Sequence, residues 1–425
     1  MKQLHFKWLL TVVLLSGAAS AASVDSLLKD LKSTSKETRE KALDALVDMA
    51  DAGFTEKESL KVLDAAAQKY EATGEYSVSA ELISFLRYDP KPSMIKPIVN
   101  VFPKLDADGK WFALDVLTRL EKNTTALKTY LGLVGKHAAS LDSLPIRNLK
   151  NQEGVADLLI PELFKYTKFP KLQFDIYDLA LSYLYDEELT SEDIRKHEKT
   201  ILNDYKVLSA KLKAAQQDSG IAWRWAEPYN TDRYLGGIML DMVGFMKTKT
   251  GDAVLKEALQ FKDPHLQAWA AISLVYNEQN VPSEVFENIA ASNEMRWTLY
   301  EYLEDAERLD LFPQAYRNQQ ALATSDLTNL LIGSDYLGYE PENIEFVQKF
   351  TRQDEDTLND YYLFKFTDED GVEYAGLAGP YSPAKTATVQ GGDDTYTLFD
   401  EWDSRTAEGH YQAILDELYA EGDMD

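Results

Sequence analysis

A chain of 425 residues exceeds what one ordinary hydrophobic core organises, so two or three domains or an elongated repeat array are expected. Its 45% hydrophobic and 27% charged residues are those of a folded protein and exclude a disordered one. A formal charge of -27 opposes nucleic acid and anionic lipid and favours basic partners, while the lack of any cysteine excludes disulfides, thiol catalysis and thiolate metal sites.

The first residues read as a secretory leader. Lys2 and Lys7 give a positive start, Trp8 to Leu15 is apolar, and Ala19-Ser20-Ala21 fits small-x-small cleavage, so maturation is expected after Ala21. Residues 1–21 hold two lysines and no acid, and their removal takes the formal charge from -27 to -29. The apolar run is too short for a membrane span of roughly 20 residues, and no later segment reaches that length without charges. An exported protein, periplasmic or extracellular, is expected. The missing cysteines favour a bacterial source, although the Asn123-Thr124-Thr125 sequon keeps a eukaryotic one open.

Residues 22–353 carry helical spacing almost throughout. In "SKETREKALDALVDMADAG" the apolar positions Ala42, Leu43, Leu46, Val47 and Met49 share one side of a helix. Ser35 stands at the N-cap and Gly53 at the C-terminal stop, and Thr55 with Glu58 has capping-box spacing for the next helix. Ser35, Arg39, Ala42, Ala45 and Leu46 recur at identical offsets as Asp106, Lys110, Ala113, Val116 and Leu117, and again as Asp263, Gln267, Ala270, Ser273 and Leu274. A poorer copy carries Phe174, Tyr177, Ala180 and Leu181. Stacked helical pairs with small residues on the inner stripe bury faces that no single hairpin could bury.

"VLKEALQFKDPHLQAWAAISL", Val254 to Leu274, resembles the junction of HEAT-type repeats, where Asp-Pro opens a helix after a leucine-rich turn. Asp106 follows Ser35 by 71 residues and Asp263 follows Asp106 by 157, against roughly 40 to 47 for a regular unit, so the array is expected to be an irregular HEAT-like α-solenoid. The resemblance to HEAT and armadillo proteins implies a non-catalytic scaffold that binds another protein or peptide, and the acidic charge favours a basic one.

Within this region "IAWRWAEPYNTDRYLGG", Ile221 to Gly237, concentrates aromatic and charged residues. The helix is expected to begin at Thr231 or Asp232. If the preceding segment is extended, Trp223 and Trp225 share one side and Arg224 takes the other. The two rings form either a ledge for a peptide or sugar or a plug against Tyr234 and Met242. Trp223, Arg224, Trp225 and Glu227 are the first candidate partner-binding site. Arg296, Trp297 and Tyr300 are the second, with Trp297 and Tyr300 on one helix face.

From about Asp354 the period changes. Residues 354–425 are expected to form a small α+β element: a β-hairpin about Asp368-Glu369-Asp370-Gly371, a third strand in "TYTLFDEW", and a terminal helix. The fold class expected for the whole chain is thus mostly α, with a small α+β C-terminal element.

No catalytic signature occurs. His137, His197, His265 and His410 lack zinc spacing, and neither a Gly-x-Ser-x-Gly elbow nor a Gly-rich phosphate loop is present, so no cofactor or metal is expected. Calcium-like "DADG" and "DEDG" read as an N-cap and a turn, which leaves the Gly391 to Asp394 loop as the remaining calcium candidate. With 71 acidic residues, paired carboxylates keep a polysaccharide or peptidoglycan hydrolase as the enzymatic alternative. Neutralisation of a cationic toxin or peptide by the acidic surface is a third possibility.

Overall fold

The structure, a computed structural model, describes residues 23–74, 76–334, 337–354, 357–382 and 399–422. The expected leader and the Gly391 to Asp394 loop lie outside the described residues. The chain is mostly helical and closes on a small antiparallel sheet, as its sequence predicts. It forms two compact units that divide between Thr200 and Ile201.

The first unit holds α1 (Val24–Asp30), α2 (Lys36–Asp51), α3 (Glu56–Ala66), α4 (Val78–Phe85), α5 (Ile95–Val101), α6 (Ala107–Thr118), α7 (Thr124–His137), α8 (Arg147–Lys150), α9 (Ala156–Leu163), α10 (Pro170–Tyr185) and α11 (Ser191–Arg195). From α1 to α10 each helix packs on the one two places further along, so odd and even helices form two layers. Local chemistry sets the helix ends. Ser35 accepts from the Thr38 amide, Thr55 and Glu58 complete a reciprocal capping box, and Asp106 accepts from the Gly109 amide at 2.9 Å. Gly53, at φ +87, ends the turn after α2 in the left-handed region that a side chain would resist. Asn123 of the sequon caps α7 through the amides of Thr125 and Ala126.

The second unit holds α12 (Glu198–Ala215), α13 (Tyr229–Met246), α14 (Lys249–Ala258), α15 (Pro264–Tyr276), α16 (Ser283–Ala291), α17 (Asn293–Asp305), α18 (Gln319–Gly333), strands β1 (Ile344–Asp354), β2 (Thr357–Thr367), β3 (Glu373–Tyr381) and β4 (Phe399–Glu401), and α19 (Ala407–Gly422). α13, α15 and α17 pack side by side. Glycines on α13 set the spacing: a Cβ at Gly236 would stand 2.8 Å from Leu266, and one at Gly244 would stand 2.5 Å from Ser273. The recurrent inner stripe is buried at Ala270, Ser273 and Leu274, as at Ala113, Val116 and Leu117 in the first unit. Its long polar position holds neighbouring turns. Gln267 donates to the Leu259 and Phe261 carbonyls, and Arg39 donates to those of Ser33 and Ala72.

The strands run in the order β1-β2-β3-β4, all antiparallel. Tyr362, Phe364 and Phe366 on one face of β2 pack with Leu327 and Leu331 of α18, while Tyr361 and Leu363 on the other face pack with Tyr411 and Ile414 of α19. Burial on both faces explains why β2 reads as a nearly unbroken apolar run. Two expectations need correction. The sheet has four strands and begins at Ile344, ahead of the period change placed near Asp354. α13 begins at Tyr229 with Pro228 in the cap position, ahead of Thr231 and Asp232, because the backbone is already helical there and no side-chain cap is used.

Candidate binding site

The start of the Ile221 to Gly237 stretch is compact rather than extended. Ala222–Arg224 form a 3-10 turn, so the two tryptophans do not share one side of an extended segment. Trp223 turns inward, donates from Nε1 to the Gly220 carbonyl at 3.1 Å and meets the Tyr229 ring edge-on at 4.8 Å. Trp225 instead lies against Arg233, whose guanidinium carbon sits 4.2 Å from the indole centre.

Arg233 is fully buried, and its partners explain how the unit tolerates that. Two of its guanidinium nitrogens face the two Glu294 carboxylate oxygens at 3.0 Å each, its Nε donates to Asn230 at 3.1 Å, and Asp263 stands at 3.6 Å. Nη1 donates to Oε2, while Nη2 meets Oε1 at ion-pair distance without making a hydrogen bond, and this close pairing of opposite charges offsets part of the desolvation. Burial alone would raise the Glu294 carboxyl, but Arg233 and then His265 outweigh it and hold it below the ordinary carboxylate range. Asp263, the cap of α15, accepts from the His265 amide and from the Tyr229 hydroxyl, each at 3.0 Å. His265 Nδ1 lies 3.4 Å from Glu294, and Tyr234 packs edge-on against the imidazole. A single network therefore joins α13, α15 and α17 beneath the Trp225 ring.

Above that network lies a cleft of about 670 Å³. Ile221, Ala222 and Trp225 form one wall, the segment from Leu337 to Asn343 a second, and Thr367, Asp368 and Glu369 of the β2-β3 turn a third. Asp368 shapes that turn by accepting from the amides of Asp370 and Val372, with Gly371 at φ +82. Tyr339 accepts from the Glu369 amide at 2.8 Å, which joins the second wall to the third.

Glu340 is the chemically unusual member. Its side chain lines the cleft, yet the residue is 6% exposed. Arg224 Nη1 faces its Oε2 at 3.7 Å, beyond hydrogen-bond length, and Oε2 has no hydrogen-bond partner among the described residues. Burial, followed by the negative Glu294, pushes its carboxyl up to about 7, against the opposing pull of Arg224 and Arg233. The Trp225 Nε1 is likewise buried and without a hydrogen-bond partner among the described residues. A buried carboxyl with a raised titration range and an indole ring thus line the same cleft, which makes the cleft the candidate site.

Of the sequence-derived candidates, Trp225 alone lines this cleft, and Arg224 supports it through Glu340. Trp223 is buried in the plug arrangement, although its ring partner is Tyr229 rather than Tyr234 or Met242. Glu227 is exposed and accepts from the Thr231 hydroxyl at 2.8 Å. The second cluster lies apart from the cleft lining. Arg296 is buried and donates to the carbonyls of Ala290, Ala291 and Ala321, Tyr300 is buried against Phe312, and Trp297 is partly buried with its amide bound to Ser325.

Sequence reasoning missed Arg233, Glu294 and Glu340, and it treated Asp263 and His265 only as parts of a helix start or a scattered histidine set. The available signal was an arginine one turn before a Gly-Gly pair, in a helix whose neighbour opens with Asp-Pro. Among the described residues no group of three or more His, Asp or Glu side chains could hold a metal ion, and no helix is long and apolar enough to cross a membrane. No protein-family model, curated protein or solved structure matches the chain.

Proposed function

We propose that this chain is an exported, non-catalytic binding protein of the bacterial envelope or secreted fraction, built on a HEAT-like helical stack, and that it holds a peptide segment of a partner protein in the Trp225–Glu340 cleft. The observation that carries the reading is the pairing of an aromatic floor, held from below by the Arg233–Glu294 pair, with a buried carboxyl one of whose oxygens has no hydrogen-bond partner among the described residues. Aromatic rings over a rigid support are the side chains that most often dominate peptide recognition. Panning a displayed peptide library against the immobilised protein should enrich a common motif, and Trp225→Ala should abolish that enrichment while the far-UV circular dichroism stays unchanged. Enrichment by the variant of the same motif would remove the cleft from the reading.

The shifted Glu340 carboxyl also favours a second reading. A carboxyl that stays protonated near neutral pH, in a cleft that also carries Glu342, Asp368 and Glu369, has the ingredients of a general acid with a paired carboxylate. Turnover of a polysaccharide or peptidoglycan substrate, lost in Glu340→Gln, would replace binding by hydrolysis as the function.

A further inference from the structure

The first unit carries a face that runs against the charge of the chain. Of 71 acidic residues none falls between Pro90 and Leu105 or between Lys122 and Leu141, the two stretches that contain α5 and α7. These helices are neighbours in one layer. Phe102, just after α5, meets the ring of His137, the last residue of α7, with centroids 5.0 Å apart, so the two helices run the same way. Lys96 and Lys104 are exposed on α5 and the turn that continues it, and Lys128 and Lys136 are exposed on α7. Residues eight apart stand roughly 12 Å apart along a helix, and neighbouring helices lie about 8–10 Å apart, so the four lysines mark the corners of a rectangle.

Two further observations set this face apart. Several other lysines of the unit are paired: Lys61 with Asp25, Lys91 with Asp89, Lys150 with Asp178 and Lys171 with Asp142. Lys96, Lys104, Lys128 and Lys136 have no ion-pair or hydrogen-bond partner among the described residues. Positive charge also crowds one end, where burial first, and then Lys110 and Lys136, hold His137 below the ordinary histidine range. Between the corners lie Gly132, where an added Cβ would meet nothing within 4 Å, and the exposed Val99. The face is thus open in the middle and cationic at both ends.

α19 has the opposite pattern. It buries His410, Tyr411, Ile414 and Leu415 and exposes Glu408, Gln412 and Asp416, with no lysine or arginine in the helix. Gln412 donates to Asp416 at 2.7 Å, which steadies that carboxylate. Acid, neutral and acid recur at every fourth residue, as do Lys128, Gly132 and Lys136 on α7, so the two surfaces share one helical spacing with opposite sign. We propose that α19 of one copy lies along the α5–α7 face of a second copy, with Glu408 and Asp416 each between a lysine of α7 and one of the α5 side, and Gln412 over Gly132. The contact makes no use of the Trp225–Glu340 cleft. Its two surfaces differ, so the association is head-to-tail. At about 0.15 M salt charges are screened beyond roughly 8 Å, so the facing groups outweigh the negative charge that both copies carry. Exposed ion pairs each contribute little, which makes the association weak and dependent on concentration.

The test is sedimentation velocity of the full chain from about 10 to about 500 µM, at about 0.15 M salt and again at about 1 M, where screening sets in beyond roughly 3 Å. The weight-average sedimentation coefficient should rise with concentration at the lower salt and stay flat at the higher. Lys128→Glu with Lys136→Glu should raise the concentration needed for association at least about tenfold, and so should Glu408→Lys with Asp416→Lys. All four positions are exposed, and mixing the two variants should restore association, because each then offers the other a surface of opposite sign; this recovery also shows that both variants are folded. A wild-type chain that stays monomeric throughout overturns the proposal, as does association that survives the lysine reversal. Loss in the lysine variant without loss in the α19 variant, or a mixture that stays monomeric, overturns α19 as the occupant. A monomeric chain that binds a fluorescein-labelled oligoglutamate peptide through Lys128 and Lys136 would give the face to a different acidic partner.

Discussion

Two buried ionic networks, one in each unit of the chain, are built in opposite senses. In the first, the buried centre is an acid. Asp115 is 3% exposed and meets Arg87 and Arg119, Asn148 and the Thr118 hydroxyl, with both arginines reaching partly into solvent. In the second, the buried centre is a cation, Arg233, enclosed with Glu294, Asp263 and His265 in a site closed to water. A buried acid with two half-wet partners is over-supplied and loses little when one leaves. A buried cation held chiefly by one close acid depends on it. The first network is closed on itself, whereas the second also supports the aromatic ring of Trp225, which lines the cleft.

The largest expected effect tests that contrast. Arg233→Met leaves Glu294 and Asp263 buried without their counter-ion and should cost about 3–5 kcal/mol in urea denaturation. Arg119→Met should cost no more than about 1 kcal/mol, because Asp115 keeps Arg87 and Asn148. Equal losses would show that the two networks are energetically alike.

The pH dependence gives the next effect and sharpens the comparison, since each unit also holds a carboxyl pushed up to about 7. Burial is the main cause at both Asp175 and Glu340. A carboxyl raised in the folded state binds its proton more tightly there than in the unfolded chain. Its contribution to stability is therefore full below the ordinary carboxylate range and is lost as the pH rises toward and through 7. From the ordinary values of 3.8 and 4.5, each shift corresponds to roughly 2–4 kcal/mol between pH 4 and pH 8. Asp175→Asn and Glu340→Gln should each flatten the unfolding free energy measured across that window. An unaltered slope in either variant would assign the pH dependence to other groups.

Helix contact ranks third. Gly237→Ala would place a Cβ 2.6 Å from His265 Nε2 and 2.7 Å from Trp269, so it should destabilise by about 1–3 kcal/mol. The exposed Gly132, where an added Cβ meets nothing, should accept alanine and gain stability from helix propensity. The smallest effect belongs to Glu227. Glu227→Ala removes one exposed contact with Thr231 and should change stability by less than about 0.5 kcal/mol and leave peptide binding intact. A large binding loss would restore Glu227 to the site.

What was legible in the sequence is what short-range chemistry decides. Ser35, Thr55 with Glu58, Asp106 and Asp263 with Pro264 all act on amides within a few residues, so their roles can be read from adjacent letters. The hairpin about Gly371 was legible for the same reason. β1 was not, because a bulge between Phe346 and Gln348 interrupts the two-residue alternation that marks a strand. The turn at Ala222–Arg224 is too short to carry a period. Arg233, Asp263 and Glu294 are separated by about thirty residues at each step, so only the packing of three helices brings them together. Trp225 was singled out by composition and its supporting arginine was signalled only by the Gly-Gly pair one turn later, whereas Glu340 in the same cleft had no local signature.

The third wall of the cleft is the tip of a hairpin, whereas the Trp225 support is locked between helices. Thr367, Asp368 and Glu369 belong to a turn whose strands are fixed by the sheet, and turn tips accept insertions and substitutions that helical interiors reject. The fold thereby separates a rigid seat from an alterable rim: lengthening or recharging this turn would reshape the cleft while Arg233, Glu294 and the helix stack remain untouched.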